Sequence, residues 1–366
     1  DFVSSDAIWV PPAVDDLDNA FRALAFHQLP DWAEDDLAAA FRAFLGSCDV
    51  DPFEETRFGA MPREAALALG ADIGDAAVRR FFEAHFTPHV YSDTCEPGFV
   101  TGYYEPELRG SRNRHSRFHV PVLGLPDDLI PLSADLYRAL HNKGVSVKRQ
   151  CGDELADYFT RAEIESGALE GRGLELLFLE DWVELFYMQV QGSGLVHLDD
   201  GSDVRLTYAG KNGHPYTSIG RLLVERHEIA LNAIDMEQVK AWLRADPARG
   251  RALMQENKSY IFFHVLGGDE GRLGPLGAKS VPLTPGRSLA VDPVYVPLGC
   301  PVYLVADDLV TTGVQQFSRL MIAQDVGSAI RGQVRGDIFW GTGESAGAIA
   351  GTTRHRAQFI FLMPNR

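Results

Sequence analysis

The chain has 366 residues, is 45% hydrophobic and 23% charged, and carries a formal net charge of −17. That length suits two domains better than one, and that apolar share excludes a disordered, collagenous or coiled-coil chain. The acidic balance argues against a nucleic-acid-binding face, since the nearest basic cluster, "RNRHSR" (Arg112 to Arg117), is short and reads as a solvated loop.

The opening "DFVSSDAIWVPP" lacks a starting Met and reads as a processed or trimmed start, with an export signal or lipid anchor removed. The first 90 residues read as helical. "VDDLDNAFRAL" sets Leu17, Phe21 and Leu24 on one face, "AEDDLAAAFRAFL" does so with Leu37, Phe41 and Leu45, and "GDAAVRRFFEAHF" predicts a further helix up to Pro88. His85 and His89 have ligand-like spacing with Cys95 beyond, but "HFTPH" reads more simply as a helix end broken by proline, and no metal is expected. The runs "GFVTGYYEPEL" and "FHVPVLGLP" predict strands. "TRAEIESGAL" predicts a helical turn with a Thr160–Glu163 capping box. "LELLFLEDWVELFYMQVQGSGLVHL" reads as strand, turn, strand, and "DDGSD" (Asp199 to Asp203) as a tight turn before "VRLTYAG". Helices return from Thr217 to about Asn257, one with Asp235 as N-cap and Pro247 beyond its end. After Tyr260 the runs "YIFFHVL", "SLAVDPVYVPLGCPVYLV", "SRLMIAQDV" and "QFIFLMP" are strands with the Gly/Pro punctuation of a small closed barrel. No apolar run reaches the roughly 18 residues of a membrane span.

Helices, β-block, helices, β-block is the resulting order. The economical architecture joins residues 1–95 and 240–366 in a large domain and inserts 96–239 as a smaller β domain. Four cysteines, Cys48, Cys95, Cys151 and Cys300, lie far apart with no C-x-x-C pair, which argues against a zinc knuckle and leaves disulfides and buried thiols both open.

Chemistry concentrates in "AQDVGSAIRGQVRGDIFWGTG". Asp325 follows an apolar strand and opens a turn holding Gly327, Ser328 and Gly332. A carboxyl at a barrel strand end is partly desolvated, which raises its pKa and suits a general acid; the competing reading is an Asx-turn. Asp337 could orient the loop or support Asp325. Asp292, in "AVDPVYVPLG", could equally form a turn. "DVGS" is similar to the aspartic-protease signature, but no second such run exists. Thr101, Gly102, Tyr103 and Tyr104 in "TGYYEPEL", and Tyr187, Gln189 and Gln191 read as alternating on one strand face, offer the rings and amides that suit a sugar. "QGSG" adds Gly192, Ser193 and Gly194; "YAGKNGHPYTSIG" adds Lys211, Asn212 and Tyr216; "ENKSYIFF" adds Tyr260. None of these matches a dinucleotide fingerprint, a P-loop or HExxH.

These segments, in this order from about Pro97 to the C-terminus, resemble the membrane-bound lytic transglycosylase A family of bacterial murein-degrading enzymes. The resemblance implies a mainly β fold with peripheral helices: a double-psi β-barrel carrying the three-aspartate domain (about 262–364), a second, smaller β-barrel-like domain, and a glycan groove between them. It implies cleavage of the β-1,4 bond between N-acetylmuramic acid and N-acetylglucosamine without water, leaving a 1,6-anhydromuramoyl end. Asp325 matches the family's catalytic acid, with Asp337 in support. Thr101, Gly102, Tyr103, Tyr104, Gln189, Gln191, Gly192, Ser193, Gly194, Lys211, Asn212, Tyr216, Tyr260, Asp292, Gly327 and Ser328 match the glycan-binding segments. The implied partner is the peptidoglycan glycan strand, with no cofactor, metal or nucleic acid. The implied setting is the periplasm, as a monomer with outer-membrane attachment through a removed N-terminus. The chain departs from the family name in starting at Asp1, with Cys48 too far in to be a lipid anchor. Two rivals stand beside this reading: a hydrolytic muramidase using Glu105 or Glu180 as second carboxylate, and a non-catalytic wall-binding module.

Overall fold

A computed structural model describes residues 20–50, 56, 58–92, 97–132, 145–268, 271, 273–306, 309 and 317–365. The chain starts with β1 (Phe21–Ala23), helices α1 (Leu37–Val50), α2 (Arg63–Leu69) and α3 (Asp75–His85), and strands β2 (Phe86–Tyr91) and β3 (Gly98–Glu105). Strands β4 (Glu107–Ser111), β5 (Val120–Leu123), β6 (Ile130–Pro131), β7 (Val147–Cys151), β8 (Glu154–Asp157) and β9 (Glu175–Leu179) follow. Next come α4 (Trp182–Gln191), the hairpin of β10 (Ser193–Leu198) and β11 (Asp203–Lys211), helices α5 (Ile219–Glu225), α6 (Met236–Ala245) and α7 (Pro247–Glu256), and β12 (Ile261–Leu266). The last stretch holds β13 (Ser288–Val291), β14 (Pro301–Ala306), β15 (Phe317–Val326), β16 (Arg335–Thr342), α8 (Glu344–Thr352) and β17 (Arg354–Pro364). The fold is mainly β with several helices, as the strand-rich texture predicts.

Two compact units result: Asp1–Gly102 with Gly277–Trp340 and Thr353–Arg366, and Tyr103–Leu276 with Gly341–Thr352. In the first, the sheet order is β1-β2-β17-β14-β15-β13-β16-β3, and β17 also pairs with β3, so six strands close on themselves. Closure satisfies edge N–H and C=O groups that an open sheet would leave bare. Strand β14, "PVYLVA", is buried at every position, as a strand covered on both sides requires. Helix α1 buries Leu37, Phe41 and Phe44 completely, and the Phe41 and Phe81 rings meet edge-on at 5.1 Å. Two polar ties fix this helical layer on β15. Arg287 donates to both oxygens of Asp35 at 3.0 and 2.7 Å, and Asp35 also accepts from the Leu320 amide. The Gln324 amide donates to Ala43 O and Ser47 Oγ at 2.8 and 2.9 Å.

The second unit carries a six-stranded sheet, β12-β11-β10-β4-β9-β5, with a bridge between Gly124 and Phe263 joining its ends, and a small sheet β6-β7-β8. Leu177, Leu179, Leu206 and Met188 fill its core. Glu105, fully buried, accepts from Arg205 Nε and Nη2 at 2.8 and 3.1 Å and from Thr342 Oγ1 at 2.7 Å.

Several local readings hold. Thr160 and Glu163 cap each other reciprocally, Asp235 accepts from the Gln238 amide, and Asp199–Asp203 turns between β10 and β11. Others are corrected. Of the helix predicted over 14–24, residues 14–19, Leu17 among them, lie outside the described residues, and Phe21–Ala23 form a strand instead: Phe21 pairs with Tyr91, so tertiary pairing outweighs the local period there. Helix α3 stops at His85, and Pro88 sits inside β2, its carbonyl accepting from Leu24 N. The stretch Tyr187–Gln191 is helix, not strand. Asp181 caps α4 by accepting from Glu184 N, Gly192 ends it at φ 87°, and the buried Leu185, Met188 and Gln189 follow the helical spacing. Residues 240–276 belong to the second unit rather than the large domain, because β12 is hydrogen-bonded along β11.

Candidate active site

In the first unit, Ala290 on β13 is in register with Asp325 on β15 at one side and Asp337 on β16 at the other. In-register residues of neighbouring strands share a face, so the two aspartates lie on one face, two strand spacings or about 9–10 Å apart at Cα. Asp325 Oδ1 accepts from the backbone amides of Ala278 (3.2 Å) and Val326 (2.9 Å). That approach needs glycine at 277: a Cβ there would sit 2.6 Å from Gln324 O and 3.3 Å from Asp325 Cβ. Asp337 Oδ1 accepts from the Thr101 hydroxyl at 2.6 Å, and Thr101 Oγ1 accepts from Arg335 Nη2 at 2.8 Å. Burial lifts the Asp337 pKa to about 6, Thr101 and Arg335 pull it down, and Asp325 pushes it up. The lifted carboxyl is thus that of Asp337, the residue expected to support Asp325.

Asp292 is buried and braces the loop after Asp325. Its Oδ1 accepts from Val294 N (3.2 Å), its Oδ2 from Gly332 N (2.9 Å), and Arg331 lies 3.7 Å away. This is the turn-forming alternative, not an exposed sugar ligand. Within the loop, Ser328 is exposed, and a Cβ on Gly327 would meet Ile330 at 2.8 Å.

The second unit sorts the remaining candidates by burial. Gln189, Asn212 and Tyr260 are core residues rather than a sugar-facing set. Gln189 accepts from buried Arg161 at 2.6 Å and donates to Ile261 O at 2.9 Å. Asn212 donates to Phe159 O and Lys258 O, both at 2.8 Å, and accepts from Tyr260 N at 2.9 Å. Arg161 lies over the Phe186 and Tyr260 rings at 4.7 and 5.2 Å. Buried amides must be hydrogen-bonded, and these meet the requirement internally. Gln191 accepts from Tyr104 N at 3.1 Å, while Ser193, Tyr103 and Tyr104 are buried. A Cβ on Gly194 would lie 2.6 Å from Met188 Sδ, so this glycine serves packing. Gly102 and Lys211 are half-buried, and Tyr216 is 36% exposed.

Sequence reasoning missed Arg335 and Arg161. The signal for Arg335 was there: in "RGD" on a strand, alternation places Arg335 and Asp337 on one face. His89 Nδ1 contacts Thr87 O at 2.8 Å, Cys95 lies outside the described residues, and no cluster of three or more metal-ligating side chains occurs among the described residues.

Residues 99–264 match the model of the MltA specific insert domain, and residues 287–363 match the 3D domain. Membrane-bound lytic murein transglycosylase A of Vibrio cholerae serotype O1 is 34% identical over 261 residues, 70% of this chain and 62% of that protein. The crystal structure of membrane-bound lytic murein transglycosylase from Agrobacterium tumefaciens superposes with a TM-score of 0.85 at 33% identity, over 94% of this chain and 98% of that one. The chain belongs to the membrane-bound lytic murein transglycosylase A family. Another member, MltA of Escherichia coli, was solved with bound chitohexaose; its TM-score is 0.69 at 26% identity, over 95% of each chain. The match spans less than two thirds of the Vibrio relative's length. Among the described residues no helix is long and apolar enough to cross a membrane.

Proposed function

We propose that this protein is a lytic transglycosylase of the cell envelope that cleaves peptidoglycan glycan strands between N-acetylmuramic acid and N-acetylglucosamine. Family membership and the chitohexaose bound by the Escherichia coli relative support a glycan substrate. The observation that carries the mechanism is the pair Asp325 and Asp337 on one sheet face, with different surroundings. Asp325 is held by two backbone amides at a strand end, beside an exposed turn. Asp337 is engaged by Thr101.

Asp325, protonated, gives its proton to the glycosidic oxygen as the C1–O4 bond breaks. The muramic C6 hydroxyl attacks C1, and the Asp325 carboxylate takes the C6 hydroxyl proton. The new O6–C1 bond makes the 1,6-anhydro ring, no water is consumed, and the acid is regenerated. Intramolecular attack gains from proximity, so one carboxyl suffices where ordinary glycosidases need two. Asp337, largely ionised near neutral pH, sets negative charge where the oxocarbenium forms and is anchored by the Thr101–Arg335 relay. Of the two glutamates weighed as a hydrolase's second carboxylate, Glu105 is buried against Arg205, and Glu180 pairs with Arg117 at 2.6 Å on the surface.

One observation favours a second reading. The two aspartates share one sheet face, so the same pair could serve a hydrolase with Asp325 as acid and Asp337 as base. Mass spectra of muropeptides released from purified peptidoglycan decide. Products lighter by one water, with no reducing muramic end, support the transglycosylase. Hydrated reducing ends support the hydrolase, and binding without release points to a wall-binding module. Outer-membrane attachment is part of the proposal and rests on the family alone.

A further inference from the structure

The second unit holds a cavity of about 830 Å³ lined entirely by its own residues. None of the three aspartates lines it, and by strand alternation Tyr104 leaves the face of β3 opposite to Thr101. Its apolar part is the Tyr104 and Tyr187 rings with Met236, whose sulfur lies 4.0 Å from the Tyr104 hydroxyl. Helix α8 makes room for this floor: a Cβ on Gly347 would come within 2.8 Å of the Tyr104 ring. The volume and the mix of rings with a few polar groups fit a small-ligand site.

The charges around the cavity fall into two sets. Glu237 pairs with Lys240 at 3.0 Å, Glu184 with Arg244 at 3.4 Å, and Asp235 caps α6. Glu107, Glu344 and Arg109 also line the cavity, yet enter no ion pair or hydrogen bond among the described residues. Glu107 lies against Gly343, next to Glu344: a Cβ on that glycine would be 3.0 Å from Glu107 Oε2. Glu107 thus lies beside the start of α8, whose first residue is Glu344, and Glu107 and Arg109 share the exposed face of β4. A neutral sugar needs neither sign. A ligand carrying both an ammonium and carboxylates uses both.

We propose that this cavity binds a short peptide with a free amino group and free carboxylates, the chemistry of the peptide that muramic acid carries. Glu107 and Glu344 take the ammonium, Arg109 takes a carboxylate, and the tyrosine floor receives the aliphatic stem. The inference rests on the transglycosylase reading only for the source of the peptide.

The test separates the two. The full chain is titrated calorimetrically with the free stem tetrapeptide, L-Ala–D-γ-Glu–meso-diaminopimelate–D-Ala. Expected is saturable one-site binding that weakens about tenfold, some 1.4 kcal/mol, in the Glu107→Gln/Glu344→Gln double variant and likewise in Arg109→Gln. Acetylating the diaminopimelate amine weakens binding to the native protein but not to the double variant. Cleavage of naked glycan stays unchanged in these variants, which also shows that they fold, while KM for peptide-bearing glycan rises. Absence of saturable binding to the native protein, or binding indifferent to all the substitutions, overturns the inference. Failure of the native protein to cleave naked glycan counts against the catalytic reading instead, and the titration still decides the cavity.

Discussion

Replacing Asp337 by Asn tests the electrostatics of the aspartate face. Its carboxyl titrates at about 6 in the fold against an ordinary 3.8, because burial disfavours the charge more than Thr101 and Arg335 favour it. A pKa raised on folding contributes stability that is fully present below 3.8 and lost as pH rises through about 6. At about 1.4 kcal/mol per tenfold change in proton affinity, the loss amounts to about 3 kcal/mol. Asn keeps an acceptor for the Thr101 hydroxyl but never ionises. The variant should match the native protein within about 1 kcal/mol near pH 4, one neutral hydrogen bond being exchanged for another. It should be the more stable by about 2–3 kcal/mol near pH 8. Calorimetric melts of both proteins across that range give the difference directly, and every other titrating group cancels to first order. A difference that does not change with pH, or that grows toward acid, would refute the burial argument.

The Glu105–Arg205 pair is buried, so Glu105→Gln leaves a guanidinium without its counter-charge and should cost about 3–5 kcal/mol in urea unfolding. Glu105→Leu with Arg205→Met should cost less than the single change; a double variant worse than the single would contradict the desolvation reasoning. The thiols should differ in reactivity. Burial pushes Cys48 up to about 12 and Cys300 higher still, whereas Cys151 is exposed. An alkylating reagent mapped by peptide mass should mark Cys151 in the native protein and Cys48 and Cys300 only after unfolding; native labelling of Cys300 would show the β14 region to be looser than its packing implies.

Strand-dense segments after Tyr260 were legible because a buried barrel strand such as "PVYLVA" is apolar at every position, a pattern that no surface helix shares. Caps were legible too, since Thr160–Glu163 and Asp235 act through side chains within a few residues of their targets. The β1 strand was not. Phe21 and Leu24 fit a helical period, and only pairing with Tyr91, far along the chain, decides otherwise. Helix α4 was misread because its tyrosine and glutamines also fit a period of two; Asp181 and Gly192 at its ends were the better guide. The aspartates could be singled out from sequence, but the division of roles could not. Asp292 became a loop brace through contacts to Gly332, and Asp337 acquired its lifted pKa through burial beside Thr101 and Asp325. Gln189 and Asn212 have the chemistry of sugar ligands, and only their burial reveals them as core amides.

The most direct test of the central claim is turnover of purified peptidoglycan by the Asp325→Asn variant, with binding to the same sacculi measured alongside. Loss of a general acid costs about 10²–10⁴ in rate, so anhydro-product release should fall by at least that much while binding persists. Release within a few-fold of the native protein would contradict the assignment of Asp325 as the acid and base.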